Sequence, residues 1–513
     1  MTLPDRTSRL GRTKLSEIIP FGPAPSLVFL LTIVAGLLVW GPVGLDAIGI
    51  RTDGLPRTLR PAGQQPADLS VMTFSPTHYP AYLRVLRQSP NYVPSSELAN
   101  AAARREAVAS GRTIVELSLV NQAAVSRKLQ AAFRAGIAVP DVVEVPNVRA
   151  GSFFRGPVED IPFHDMGALL RNTTDDRGRS LYDRMVKNRF ALYRHEGTLY
   201  GLPHDLHPVM IAYRRDIFEA ERDRVIRETG IDPLSDQLTW PQFVAIGRVL
   251  TEPGRRYMMQ ASDRGISSFE ALLYQRGGDF FDETGEVAFD SPTSLRLLRW
   301  LIPLAAGEPG ERIFDNAGGG GPAFYRNLSE GYVLSFICPD WRTAMVEYNA
   351  PHLKGKLALM PMPVWPDDPR QCRTSTWGGT MLGITRQQQT DVPRAWRLAQ
   401  DLYFNVELLA NQFKQTNIIP PFKDAWDHPV FHEPRPFWSG QALGELYTAV
   451  ADEVPARNGS PFLELAASKM SAVIASCANY YRTHGAEGFD AFTERRLKEA
   501  ADDVRRQIAR NPF

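Results

Sequence analysis

Residues 197–221, Gly-Thr-Leu-Tyr-Gly-Leu-Pro-His-Asp-Leu-His-Pro-Val-Met-Ile-Ala-Tyr-Arg-Arg-Asp-Ile-Phe-Glu-Ala-Glu, constrain the fold more than any other stretch. Gly197 and Gly201 bracket a short apolar piece, so the chain turns, extends and turns again. Pro203 and Pro208 hold His204-Asp205-Leu206-His207 in an extended, non-helical conformation. Residues 209–213 then read as a brief buried strand, and Arg215-Asp216-Ile217-Phe218-Glu219 opens a charged amphipathic helix. A polar, proline-bounded connection between two apolar strands is what a chain needs to cross from one lobe to another.

Length points the same way, because 513 residues exceed what one core usually holds. A formal net charge of +1 gives no long-range field for nucleic acid, which is excluded as a partner on that ground. Cys338, Cys372 and Cys477 lack metal-ligand spacing and are odd in number, so buried thiols are expected.

The remaining segments before and after the crossover alternate. Strands are expected at 69–74, 112–119 and 139–145, with helices at 79–87, 95–109 and 123–135 between them, which makes an α/β lobe with a mainly parallel sheet. Ligands in such sheets sit beyond the carboxyl ends of the strands. That nominates Phe74 and His78 in one loop, and Glu144 and Asn147 in another. Thr239 has the signature of an N-cap for a helix starting Trp240-Pro241-Gln242-Phe243. A helix at 269–275 is closed by Gly277-Gly278, and a hairpin-like turn follows at 279–292. The glycine run 318–321 is a loop and no phosphate cradle, since no Gly-Lys-Ser/Thr follows it. A helix at 322–330 and a strand at 332–337 lead to Pro339-Asp340-Trp341-Arg342, the start of another helix. A strand at 357–362, a return segment at 374–384 and a helix at 392–403 complete this part, and the helices after 421 are expected to pack mostly on the second lobe.

In order, these passages resemble the extracellular solute-binding proteins of ABC importers, in the branch that binds carbohydrates. The matching pieces are Gly-x-x-Tyr-Gly-Leu-Pro at 197–203, Tyr-Arg-x-Asp-x-Phe at 213–218 and Gly-x-x-x-Pro-Asp-Val-Val-Glu-Val at 136–145. Thr-Trp-x-x-Phe at 239–243 and Gly-Gly-x-x-x-Asp-x-x-Gly-x-x-x-Phe-Asp-Ser-Pro at 277–292 extend the match. The resemblance implies a two-lobed, type II periplasmic-binding-protein-like α/β fold, each lobe a mixed sheet flanked by helices. Its lobes would be 68–205 plus 375–420, and 206–374 plus 421–513. It also implies a tryptophan stacking on sugar near Trp341, the Gly378-Gly379 pair in the cleft, an ABC permease as partner, and no cofactor.

Recognising a sugar takes flat aromatic faces for its C–H side and planar polar groups for its hydroxyls. Trp341, Trp377, Phe280, Tyr213 and His78 are the aromatic candidates, and Asp205, Glu144, Asn147, Asp279 and Asp340 the polar ones. Binding between the lobes would close them by hinge motion. No metal site is expected at His204-Asp205-Leu206-His207, because an odd separation on an extended chain sends the two imidazoles to opposite faces. His428 and His432, around Pro429, form none either. Asp205 with Asp340 or Glu144 supplies a carboxylate pair on paper, yet nothing in the sequence marks a raised pKa, and no Gly-x-Ser-x-Gly or His-Glu-x-x-His occurs. No catalytic residue is assigned.

Arg6, Arg9, Arg12 and Lys14 precede an uncharged run from Ser26 to Leu45, long enough at helical rise to cross a bilayer. With no clear Ala-x-Ala site, it reads as an uncleaved anchor rather than a signal peptide. The tail 1–25 would be cytoplasmic, 26–48 would span the membrane, 49–67 would be a Pro- and Gly-containing spacer, and the folded body would lie outside. The expected role is capture of a mono- or oligosaccharide for a permease. A membrane-tethered sugar sensor and a carbohydrate-active enzyme on the same scaffold are the alternatives.

Overall fold

Thirteen short strands form two mixed sheets and a hairpin in the computed structural model, which describes residues 67–511. The expected cytoplasmic tail, membrane helix and nearly all of the spacer lie outside the described residues. Among the described residues, no helix is long and apolar enough to cross a membrane.

The first sheet contains β1 (Leu69–Thr73), β2 (Tyr92–Pro94), β3 (Thr113–Leu119) and β4 (Val142–Pro146). A hairpin of β5 (Arg194–His195) and β6 (Thr198–Leu199) stands apart. β7 (Leu202–Pro203) belongs to the first sheet, whereas β8 (Val209–Arg214) belongs to the second. The second sheet adds β9 (Tyr257–Gln260), β10 (Phe314–Asp315), β11 (Val333–Pro339) and β12 (Leu357–Pro361). β13 (Thr380–Ile384) returns to the first. Strand order is β2-β3-β1-β4-β13-β7 in one sheet and β10-β9-β11-β8-β12 in the other.

In each sheet the strands laid down by strand–helix–strand units are parallel, and those bordering the crossover are antiparallel. The sequence pattern accounts for this. β4, Val-Val-Glu-Val-Pro, is buried at every position, as a parallel strand covered on both faces must be. β8 is buried throughout as well, and its alternation divides it between two cores. Met210 and Ala212 join an apolar cluster that fills the first sheet and reaches one face of the second. Val209, Ile211 and Tyr213 join a cluster with the helices Trp240–Leu250, Ser267–Gln275 and Pro292–Ala306. The long helices Leu463–His484 and Phe489–Arg510 close this second core.

The chain crosses between sheets twice, and the two crossings pair with each other. Pro208 bridges Thr376 in antiparallel fashion, and the Thr374 hydroxyl accepts from Val209 N at 3.0 Å and donates to Val209 O at 2.9 Å. β8 starts only at Val209, because Pro208 has no N–H to give a ladder and His207 takes φ +52. Two later side chains reach elements of the second sheet: Asn417 donates to the Thr343 hydroxyl (3.0 Å) and to Glu347 (2.8 Å), and the Gln441 side chain bonds both backbone groups of Leu359 in β12.

Local signals place the helices. Thr239 caps Trp240–Leu250 in a reciprocal box with Gln242, and the Trp240 indole, a core residue, donates to Gln275 Oε1 at 2.9 Å. The helix expected at 95–109 is broken instead: Asn100 accepts from Ala102 N and Ala103 N and restarts it at Ala101. Cys338, Cys372 and Cys477 are free and buried. Removing the Thr239 cap by Thr239→Ala is expected to lower the unfolding free energy by about 1 kcal/mol, read by chemical denaturation, with unchanged ligand affinity.

Candidate ligand-binding site

The carboxyl ends of β9, β10 and β11, three parallel strands of the second sheet, open on one groove. Its volume is about 320 Å³, and its lining includes Gln260, Ser268, Asn316, Gly319, Trp341 and Trp377. Each strand delivers its own wall. β9 ends at Gln260. β10 is followed by Asn316 and the glycine run, where Gly318 (φ +84) and Gly319 (φ +67) adopt a backbone that other residues resist. β11 is followed by the helix Asp340–Asn349, whose first turn carries Trp341 and Arg342.

The aromatic wall is made by Trp341 and Trp377, edge to face with centroids 5.6 Å apart, and the Trp341 indole donates to Trp377 O at 3.0 Å. Both rings are only partly buried. Arg342 lies beneath them, its guanidinium over the rings of Phe324 (4.5 Å) and Phe336 (4.6 Å), and donating to Ile337 O (2.8 Å) and Gln260 Oε1 (2.6 Å). Burial pulls this guanidinium down to about 10.

Between the sheets sits a buried charge cluster. The His207 ring meets Asp340 Oδ1 at 2.6 Å through Nδ1 and Asp205 Oδ2 at 3.3 Å through Nε2. Burial works against its charge, but the Asp205 and Asp340 carboxylates raise it to about 10. Burial alone would raise Asp205 too, yet His207 above all holds it well below the usual carboxylate range. The second oxygen of each carboxylate is matched as well: Asp205 Oδ1 accepts from Thr380 N (3.1 Å), and Asp340 Oδ2 accepts from Ile419 N (2.7 Å). Arg189, also buried, donates to Asp205 O and the Thr376 hydroxyl.

The Gly378-Gly379 pair lies against this cluster, with φ +96 and +145. A Cβ on Gly379 would come within 2.6 Å of Arg189 Nη2 and 2.8 Å of Asn147 Nδ2, so side chains are shut out. Asn147 stitches the first sheet to this turn, its amide donating to Gly378 O (2.6 Å) and its backbone N–H to Gly379 O (2.8 Å).

The residues singled out from sequence fall into three places. Trp341, Trp377, Gly378, Gly379, Asn147, Asp205 and Asp340 gather at the groove and the crossing. His78 and Glu144 are buried together in the first sheet, beside the end of β1 where Phe74 packs half-buried. There Glu144 accepts from the hydroxyls of Thr73, Tyr82 and Tyr403 and from His78 Nδ1 (3.0 Å). Burial opposes its charge, but His78 above all, with His204 and the Thr73 hydroxyl, brings Glu144 down to about 2. Tyr213, Asp279 and Phe280 are packed into the second lobe, with Phe280 against Phe289, Tyr213 against Phe218, and Asp279 accepting from Asn458 N. Gln260, Ser268, Asn316 and Arg342 were not singled out. The glycine run beside Asn316 was a visible signal, but nothing local marks Gln260.

Two mixed α/β sheets joined by paired crossings, with a groove at the strand ends, define a two-lobed binding protein. Residues 105–398 match the bacterial extracellular solute-binding proteins, and the chain belongs to this family. It is 27% identical over 365 residues to an arabinooligosaccharide-binding protein of Halalkalibacterium halodurans, covering 69% of this chain and 75% of the relative. A second arabinooligosaccharide-binding protein, from Bacillus subtilis, is 26% identical over 258 residues, 50% of this chain and 54% of that one. Among solved structures, the sugar-binding protein MalE of Xanthomonas citri superposes with a TM-score of 0.63 at 17% identity, over 87% of this chain and 100% of its own. A Listeria monocytogenes ABC substrate-binding protein in complex with cycloalternan gives 0.60 at 14% identity, over 86% of this chain and 98% of its own. At such identities the structures show the shared fold.

His207 gives a pH signature. Its folded value is raised, so its stabilisation is complete below its ordinary 6.5 and is lost as pH rises through about 10. Unfolding free energy is expected to fall across that window, and His207→Gln to remove this part of the slope, read by denaturant melts at a series of pH values.

Proposed function

We propose that this protein captures an oligosaccharide at the groove beyond β9, β10 and β11 and delivers it to an ABC permease, without chemically altering it. The single observation that carries this reading is the Trp341–Trp377 wall placed opposite amide and hydroxyl groups at three parallel strand ends. Flat apolar faces beside Gln260, Asn316 and Ser268 suit the two sides of a sugar ring. Gly378, Gly379 and Asn147 shape the wall at the crossing, and Asp205 and Asp340 hold it rigid through His207. Phe74, His78 and Glu144 lie apart from the groove in the first lobe, whereas Tyr213, Asp279 and Phe280 are packed in the interior of the second. Asp205 and Asp340 both grip His207, an arrangement that suits an ionised framework better than a proton-donating acid.

The ligand is longer than one ring on this reading. Trp341, Met345 and Tyr348 follow one another at helical spacing along Asp340–Asn349, and Met345 and Tyr348 are 43% and 86% exposed. A partly apolar ledge running out of the groove fits successive sugar units. The names of the two curated relatives make arabino-oligosaccharides the first to test. The lobes divide near 205–206 and 374–375 in this reading, with 421–513 assigned to the second lobe, and residues 26–48 anchor the body outside the cytoplasmic membrane.

Titration calorimetry of the detergent-solubilised full chain with arabino-oligosaccharides of increasing length tests the reading. Binding is expected, and Trp341→Ala should cost about 2 kcal/mol, roughly a 30-fold rise in Kd. No heat with any pentose or hexose oligosaccharide, or unaltered binding in Trp341→Ala, would overturn it. Tyr348→Ala should weaken longer oligosaccharides several-fold while leaving disaccharides unaffected.

A further inference from the structure

His204 is buried, 4% exposed, and neither of its ring nitrogens makes a hydrogen bond, although Nδ1 stands 3.6 Å from Asp205 Oδ2. An imidazole withdrawn from water with both nitrogens unmatched is costly, and such groups call for an explanation. Its ring lies over that of His78, with centroids 3.8 Å apart. One donor atom from each of His78, Glu144 and His204 lies within 4.8 Å of the others, and all three residues are buried. Beside them is a small cavity of about 10 Å³, lined by Thr77, His78, His204, Gln412 and Thr416 among others. That is space for about one water. Gln412 faces it with both amide atoms lacking partners as well.

We propose that His78, Glu144 and His204 bind a divalent transition-metal ion, zinc in the first instance, as a structural ion of the first lobe. Two imidazoles and a carboxylate, with a water as fourth ligand, form a set that zinc accepts, while calcium and magnesium prefer oxygen alone. The cavity holds that water, and Gln412 is placed to meet it. A tetrahedral zinc with bonds of about 2.1 Å keeps its donors roughly 3.4 Å apart. His78 Nδ1 and Glu144 Oε2 are already at 3.0 Å, and a turn of the His204 ring brings in the third. The ion takes the place of the proton now shared between His78 and Glu144. Second contacts exist already, because the Thr73, Tyr82 and Tyr403 hydroxyls orient the carboxylate.

His207, at φ +52, turns to Asp340 and the second sheet, while His204 stacks on His78 beside Glu144; both imidazoles approach Asp205 Oδ2, at 3.3 and 3.6 Å. The ion thus draws on β4, on the helix His78–Gln88 after β1 and on the first residue beyond β7, tying the start of the crossover to the first sheet. This site is separate from the groove and does not depend on which solute the groove takes.

The test uses the untagged full chain in detergent, stripped with EDTA and then supplied with ZnCl2 or CoCl2. After desalting, plasma mass spectrometry is expected to find one zinc per chain, and cobalt to give the visible absorption of a tetrahedral nitrogen–oxygen site. His204→Phe, which keeps the ring shape, should lower zinc affinity by more than about 100-fold. The same variant without metal should melt at or above the stripped wild-type temperature, because no hydrogen bond is lost. His432→Ala, at an exposed histidine, should leave zinc content unchanged. Substoichiometric zinc in the wild type, no tetrahedral cobalt band, or equal zinc uptake by His204→Phe would each overturn the proposal.

Discussion

One protonated imidazole held between two carboxylates ties the two halves of this molecule together. His207 comes from the crossover, Asp205 from two residues earlier, and Asp340 from the end of β11 in the second sheet. Burying three charged groups is tolerable only when each leftover donor and acceptor is matched, and here Thr380 N, Ile419 N and Trp341 N do the matching. Such a cluster adds less to net stability than to uniqueness, since any other arrangement strands a charge away from water. His207 adopts φ +52 to reach both partners, a conformation that non-glycine residues rarely take.

The groove inherits its geometry from this cluster. Trp341 follows Asp340 directly, so the ion pair that fixes Asp340 also sets the first turn of the helix bearing the indole. Gly378 packs against the His207 ring, where an added Cβ would sit 3.3 Å from Cδ2 and 3.4 Å from the Trp341 nitrogen. Trp377 therefore reaches its partner only because glycine follows it. Aromatic wall, glycine turn and charge cluster form one unit, and none can be moved without the others.

Much of this was legible in the sequence, for reasons that are local. Prolines and glycines at 197–208 marked the crossover, alternating apolar runs marked the strands, and Thr239 with Gln242 marked a helix start. What could not be read depended on long-range contact. Gln260 meets Asn316 and Gly319 only after β9 and β10 have paired. Phe280 and Trp377 look equivalent as aromatic residues near a turn, yet one is fully buried and the other half open, a difference set by which helices close over them. The histidines misled in a subtler way. Extended spacing put His204 and His207 on opposite faces, but His207 takes φ +52 and both imidazoles approach Asp205 Oδ2, at 3.6 and 3.3 Å; nothing local joins His204 to a histidine and a glutamate from distant parts of the chain.

The two polar centres differ in a way that bears on how each lobe works. At Asp205–His207–Asp340 the charges and hydrogen bonds are complete, which makes a rigid junction. At Glu144 the carboxylate is saturated while the imidazole stacked above its partner is not, so the same buried volume holds both an over-supplied acceptor and an unused donor set. Ring packing alone would have suited an apolar residue in place of His204, because Tyr403 and His78 offer it ring faces and Asp205 Oδ2 stays 3.6 Å from Nδ1. An imidazole kept there without a hydrogen bond on either nitrogen is explained by something those nitrogens bind. The rigidity of the first lobe near the crossover then comes from coordination, and that of the second from the ion pairs that position its aromatic wall.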